Sequence, residues 1–482
     1  MLGWVQRFVS RLERIPYSGW LLVAVPVVVG LSRSVLESFI LGYRAHVLAS
    51  AFNYVMFYVA LQQLFIVALA VATSKPAREV TGAVSVGLVL AWLPPILDMA
   101  GLGTPGKGFF YFTEFRWHFF APYQSLGESL TIWISIAFGV GYVAYTTRSA
   151  VRGAVALGTM WVVGQVLGWL VTVVAAFLAR DPGIASLTLP GITNLLFFLI
   201  AFAAQSVLHC GTLLPSLLRV NHCVPFALCT AIAGRMTGAM EGALGARALV
   251  ILVGGLLIVI ANDYYDKEQD ERLGRTGRPA TRDDMIVATF YQALIVAWGI
   301  VVEPRSAVFL ILFFLLPFFY HHPTFRLKRL FCAAYLIEGA TAVCSFLFGM
   351  GSVRFGTALQ VTPLLVLGGF ALGSMFKDYK DVEEDRAERM GTIYTRLMAR
   401  GRSLAAVHLG VSLAILLALL VPPVWLVGRG EPFSRAAALF VLAAAMLACL
   451  LIGKDRRKVV ERSFWCLSLY LLALLVLVPQ LG

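Results

Sequence analysis

The chain has 482 residues, 59% hydrophobic and only 13% charged, with a formal net charge of +13. Ordinary soluble domains carry about 25% charged residues, so the composition excludes a soluble enzyme, a disordered chain and a small disulfide scaffold. What remains is a polytopic membrane protein, and long apolar runs without strict alternation make its spans helices rather than barrel strands.

The amino terminus, MLGWVQRFVSRLERIPYSGW, places Trp4, Phe8, Val9 and Leu12 on one helical face with Arg7, Arg11 and Arg14 nearby. That is the pattern of a helix lying on a membrane surface. About six spans follow, near 19–32, 46–72, 80–99, 126–146, 153–178 and 190–209. The first is short enough for a signal-peptide core, yet no small-residue cleavage site follows it. The connector 101–124 is dense in Phe, Tyr and Trp, which suits an interfacial or re-entrant segment. Residues 1–205 show no catalytic constellation, and neither their role nor a protein partner can be read from them.

Nine further spans are expected near 214–236, 246–262, 284–302, 306–320, 331–350, 358–376, 403–421, 435–452 and 463–480. The chain thus divides into 1–205 and 210–482. Alternation puts the connectors 263–283, 321–330, 377–402 and 453–462 on one side, where most of the Lys and Arg lie. The opposite connectors hold few bases, such as Arg305, Arg354 and Arg429. The positive-inside rule makes the base-rich face cytoplasmic. The charge is therefore topological, not the concentrated patch of a nucleic-acid binder. The seven Cys (210, 223, 229, 332, 344, 449, 466) lie in or beside spans without a CxxC pair, as small buried hydrophobes do. The seven His show no HExxH spacing.

The 26 acidic residues are unevenly spread. Half fall in two windows. One holds Asp263, Asp266, Glu268, Asp270, Glu271, Asp283 and Asp284; the other holds Asp378, Asp381, Glu383, Glu384, Asp385 and Glu388. Carboxylates crowded in an acid-poor chain ask for a cation. The cores, NDYYDKEQD (262–270) and KDYKDVEED (377–385), match at five of nine positions, and each ends a long apolar span. If each helix continues through its motif, residues four apart share a face. Asn262, Asp266 and Asp270 then form one stripe and Lys377, Asp381 and Asp385 another, with Asp263 and Asp378 joining from the side. Hard oxygen ligands in this pattern suit Mg²⁺, which is held by one or two carboxylates plus substrate phosphates. Such a site can hold a diphosphate and ease its departure. Arg219, Arg278, Arg326, Lys328 and Lys377 are candidates to complete the cradle, and an apolar bundle interior accepts a hydrocarbon tail.

These residues carry a family resemblance. NDYYDKEQD resembles the NDxxDxxxD signature of UbiA-type intramembrane prenyltransferases, and KDYKDVEED resembles their second motif, DxxDxxxD. Arg278-Pro279 and the connector HPTFRLKR (322–329) agree with it, whereas the Ala-Thr-Arg-Asp after Pro279 lacks a Gly common there. The resemblance covers roughly 210–482. It implies an all-α fold, a nine-helix bundle with a central cavity opening laterally to lipid, here preceded by about six further helices. It also implies Mg²⁺-dependent ionisation of an isoprenyl diphosphate and transfer to an aromatic or other lipid-soluble acceptor. By the resemblance, Asp266, Asp270, Asp381 and Asp385 are catalytic, while Asn262, Asp263, Asp266, Asp270, Asp378, Asp381 and Asp385 bind metal. Asn262, Arg278, Lys328 and Lys377 would contact the diphosphate, joined by Arg219, and Tyr264, Tyr265 and Tyr379 would offer π faces to the cation. Three alternatives stay open: intramembrane terpene cyclisation, a non-catalytic isoprenoid scaffold, and a cation-coupled transporter. For the transporter, Glu338 is the best mid-span acid; such a residue is a functional candidate or the partner of a neighbouring helix.

Overall fold

A computed structural model describes residues 2–41, 47–97, 100, 126–180, 187–208, 219–238, 241–267, 271, 280–325, 327, 330–331, 333–351, 362–387, 390–453 and 455–478. The helices, in chain order, begin with α1 (Leu2–Glu13), α2 (Gly19–Leu41), α3 (Val47–Thr73), α4 (Ala77–Leu88) and α5 (Leu93–Leu97). They continue with α6 (Leu126–Thr147), α7 (Ala150–Leu178), α8 (Leu189–Leu208), α9 (Val220–Met236) and α10 (Glu241–Tyr265). Then come α11 (Arg282–Val302), α12 (Pro304–His321), α13 (Ala333–Met350), α14 (Thr362–Ser374) and the short α15 (Val382–Ala387) and α16 (Ile393–Ala399). The last are α17 (Leu404–Gly428), α18 (Phe433–Ile452) and α19 (Arg456–Leu477). Twelve helices among the described residues are long and apolar enough to cross a membrane. The protein is an all-α, multi-pass integral membrane protein.

The chain forms two compact units. The first comprises Met1–Asp181, Leu187–Leu213 and Thr281–Leu294; the second comprises Pro182–Ser186, Leu214–Ala280 and Ile295–Gly482.

In the first unit, helices stand where each of the six spans was expected. In α1, Val9 and Leu12 are buried while Arg7 and Arg11 are exposed, the surface-helix pattern; the side chains of Trp4 and Phe8 lie outside the described residues. The third span is not one α-helix. It passes through a 3₁₀ turn at Val89–Trp92 before α5, because Pro94 and Pro95 cannot supply the N–H bonds of a continuing α-helix. The aromatic connector 101–124 lies outside the described residues. Helices α3 and α8 run parallel: Asn194 bonds Asn53, and one turn further the Phe57 and Phe197 rings meet at 5.5 Å. A buried ion pair ties three elements together. Arg33 Nε reaches Glu37 at 2.6 Å, Arg33 Nη1 donates to the Ala91 carbonyl at 2.7 Å, and the Tyr54 hydroxyl donates to Glu37.

The first unit also absorbs two residues of the first acidic window. Asp284 closes a capping box on α11: it accepts from the Thr281 N–H at 2.8 Å, and its own N–H donates to Thr281 Oγ1 at 3.2 Å. Asp283 accepts the Gly19 N–H at 2.7 Å, one of the donors a helix start leaves unpaired. Both carboxylates are engaged at helix starts.

In the second unit, helix starts are read locally. Pro304 occupies the first turn of α12, while Ser403 and Asp455 cap α17 and α19 through the N–H groups of Ala406 and of Arg457 and Lys458. The core runs through Phe376, Val382, Tyr394, Val411 and Tyr470, all nearly or fully buried. Cys223, Cys229 and Cys344 are buried as expected; Cys449 and Cys466 are half-buried, and Cys210 and Cys332 lie outside the described residues.

Candidate functional site

The first motif ends α10. The Asp266 N–H bonds the Asn262 carbonyl at 2.9 Å, so the α pattern continues past Tyr265 and puts Asn262 and Asp266 on one face, as the four-residue spacing requires. The Asn262 side-chain oxygen is buried and has no hydrogen-bond partner. Asp263, to its side, is held by the Arg219 guanidinium at 2.6 Å. That contact holds Arg219 at the cavity wall. Asp270, Arg278, Arg326 and Lys328 lie outside the described residues.

The second motif departs from the expected helix. After α14 the chain tightens into a 3₁₀ turn over Met375–Tyr379. The Asp381 N–H then bonds the Asp378 carbonyl at 3.1 Å, three residues back, and only the Asp385 N–H returns to the four-residue pattern, on Asp381 at 2.8 Å. In a turn of three residues, side chains three apart stack above one another. Asp378 and Asp381 therefore share an edge, in place of the Lys377–Asp381 stripe of a continuous α-helix. Phe376 and Val382, each 1% exposed, share another edge with Tyr379.

Asp378 accepts a hydrogen bond from the Tyr335 hydroxyl at 2.6 Å, and that same oxygen accepts the Ile393 N–H at 2.9 Å. Burial pushes the Asp378 carboxyl up to about 6, against the pull of Lys377 and of the Tyr335 bond. Burial likewise brings the Lys377 ammonium down to about 8, with Asp378 opposing. Lys377 forms an ion pair with Glu338 and lies 5.4 Å from the Tyr320 ring centre. Glu338 is thus the partner of a neighbouring element.

Both motifs open into one cavity of about 1240 Å³ within the second unit. Arg219, Asn262, Asp263, Asp266, Lys377, Asp378, Asp381 and Asp385 all line it. Carboxylates of both motifs line this one cavity, so the two groups converge. The remaining wall is largely apolar and aromatic, including Phe226, Phe313, Phe370, Trp425 and Tyr470. A correction concerns the π faces. Tyr264, Tyr265 and Tyr379 are not among the lining residues. Tyr265 packs on Tyr264, Phe318 and His322, and Tyr379 on His408. Tyr320, near the C-terminal end of α12 and with no motif to mark it, does line the cavity.

A family model, the UbiA prenyltransferase family, matches residues 224–475, more than half of the 482-residue chain. The chain belongs to the UbiA prenyltransferase family. Membership supports an activity of the intramembrane prenyltransferase type, and the matched stretch contains both carboxylate motifs. No curated protein and no solved structure matches the chain. Within a UbiA-family site, the donor set present here fits a divalent cation. It is made of oxygens alone, and one of them, on Asn262, is buried without a partner. Among the described residues no three His, Cys, Asp or Glu close into a cage.

Proposed function

We propose that the protein transfers an isoprenyl group from an isoprenyl diphosphate to a lipid-soluble, aromatic acceptor inside the membrane, with Mg²⁺ as cofactor and the diphosphate site facing the cytoplasm. One observation carries this: two carboxylate motifs converge at one cavity whose remaining wall is largely apolar. The polar end suits a diphosphate and the apolar walls suit its tail. The cavity exceeds the roughly 300–1,000 Å³ of ordinary small-ligand pockets, which leaves room for donor and acceptor together.

Asn262, Asp266 and Asp270 would hold one metal edge, and Asp378, Asp381 and Asp385 the other, with Asp263 beside them. The metal's contribution is to neutralise the leaving diphosphate. Arg219, Lys377 and, from outside the described residues, Arg278 and Lys328 supply positive charge to the same oxygens. Tyr320 and Phe370 face the cavity and would shield the allylic cation by their rings. Transport is less well supported, because Glu338 is already engaged by Lys377.

The test is diphosphate release in membranes given labelled farnesyl or geranylgeranyl diphosphate, Mg²⁺ and a panel of aromatic acceptors. Release should require Mg²⁺ and fall at least about a hundredfold in Asp266→Asn or Asp381→Asn, since each removes a metal ligand. Unchanged turnover in both variants refutes the site. Release with label retained in a hydrocarbon product and none in an acceptor marks a cyclase instead.

A further inference from the structure

The motif tyrosine that turns away from the cavity has a defined partner. Tyr379 stacks face to face on His408, with ring centres 3.7 Å apart and planes 10° from parallel. His408 comes from α17, is 7% exposed, and has both ring nitrogens engaged. Nε2 meets the Leu450 carbonyl at 2.8 Å. A carbonyl only accepts, so Nε2 carries the hydrogen. In the neutral ring Nδ1 is then an acceptor, and it takes the hydroxyl of Tyr394, a fully buried residue, at 2.9 Å. The Leu450 carbonyl belongs to the last turn of α18, where helix carbonyls lack partners of their own. His408 is thereby pinned at two points in the plane of its ring, which fixes the plane on which Tyr379 lies.

Tyr379 is also bounded by the Arg456 guanidinium, 5.4 Å from its ring centre. Arg456 in turn grips Glu383, just beyond the turn, at 2.5 and 2.7 Å. The 3₁₀ turn has little freedom left. Tyr379 lies against His408 and Tyr394, whereas Asp378 and Asp381 line the cavity. Rotation about the turn axis would move both edges together, so whatever fixes Tyr379 aims the two carboxylates.

We propose that His408 is a positioning residue: by stacking on Tyr379 it sets the rotation of the second motif and so aims Asp378 and Asp381 at a divalent cation. The inference rests on the proposed function for the cation's role. It goes beyond that function in assigning a duty to a residue that touches neither substrate nor metal.

The full-length protein in lipid nanodiscs is titrated with MgCl₂ at saturating geranylgeranyl diphosphate. Half-saturating Mg²⁺ is read from diphosphate release and, independently of turnover, from the rise in melting temperature that Mg²⁺ and inorganic diphosphate produce. His408→Ala should raise half-saturating Mg²⁺ about tenfold, the lower range for loss of a residue supporting a metal ligand. His408→Phe keeps a stacking ring without the nitrogens and should return to within about threefold of wild type. If His408→Ala yields no folded protein, Tyr379→Leu, which leaves every hydrogen bond of His408 in place, should show the same tenfold shift. A lower melting temperature with half-saturating Mg²⁺ within twofold of wild type overturns the inference, because that is the mark of mere packing. Should wild type release no diphosphate from any donor, the proposed function fails, while the Mg²⁺-dependent melting shift still decides the role of His408.

Discussion

A single phenolic oxygen does two things at Tyr335. It donates to Asp378 and accepts from the Ile393 N–H, so it joins a carboxylate of the second motif to the segment that leads into α16. Tyr335 is 3% exposed, and water does not readily replace a bond at that depth. Tyr335→Phe leaves both partners short of a bond. A hydrogen bond to a charged group contributes about 1.5–3 kcal/mol, so the melting temperature of the purified protein should fall measurably. Turnover should drop about tenfold, as for loss of a residue that orients a ligand. Melting and turnover both equal to wild type would show that the bond aims nothing. Glu338 makes a related point. Its place in a span marked it as a candidate, and only the Lys377 ammonium beside it shows which of its two roles it has.

At the scale of elements, close approach between helices places the second motif. Gly339 on α13 faces α14 directly, and a Cβ there would stand 2.5 Å from the Leu367 carbonyl oxygen. A backbone atom cannot swing aside, so Gly339→Ala must push α13 and α14 apart. Overpacking of this kind costs about 1–3 kcal/mol, and here it would also shift the turn that follows α14. Gly369, on the cavity side of α14, has open space where a Cβ would sit. Ala there should cost nothing, and removing a helical glycine favours the helix by up to about 1 kcal/mol. Melting curves of the two variants should separate, with Gly339→Ala lower and Gly369→Ala at or above wild type. Equal curves would mean that the α13–α14 contact is slack. The same turn shows what a pattern of spacing conveys and what it does not. Acidic residues at 378, 381 and 385 are compatible with either an α-helix or a 3₁₀ turn. In the folded chain the 3₁₀ turn goes together with burial of Phe376 and Val382.

For the whole molecule, the match to the UbiA prenyltransferase family starts at residue 224, while the helix opening at Arg282 contributes its first part, to Leu294, to the first unit. There Tyr291, 1% exposed, packs on Phe198 and Phe202 of α8 at 5.6 and 6.1 Å, and Asp283 holds the Gly19 N–H. Deletion of residues 1–205 would strip that segment of these partners. We expect the truncated chain to fail to give a monodisperse peak on size-exclusion chromatography in detergent, and co-expression of 1–205 as a separate chain to restore it. A well-behaved truncated chain would show instead that the segment needs no first-unit packing.

Much of this protein was legible in residue order alone: the membrane class, a helix within each expected span though not always a whole one, and the two acidic motifs at span ends. These are local properties. An apolar run of twenty residues has to form a helix in lipid wherever its neighbours stand, and a carboxylate pair repels whatever lies across the fold. Four other features were decided only when distant segments met. Asp283 went to the start of a helix far back in the chain, Tyr379 turned from the cavity to His408, Lys377 took Glu338, and Tyr320 joined both motifs at one cavity wall. Each depends on a partner tens to hundreds of residues away or on which side of a turn is buried, and neither is encoded in the spacing of one segment.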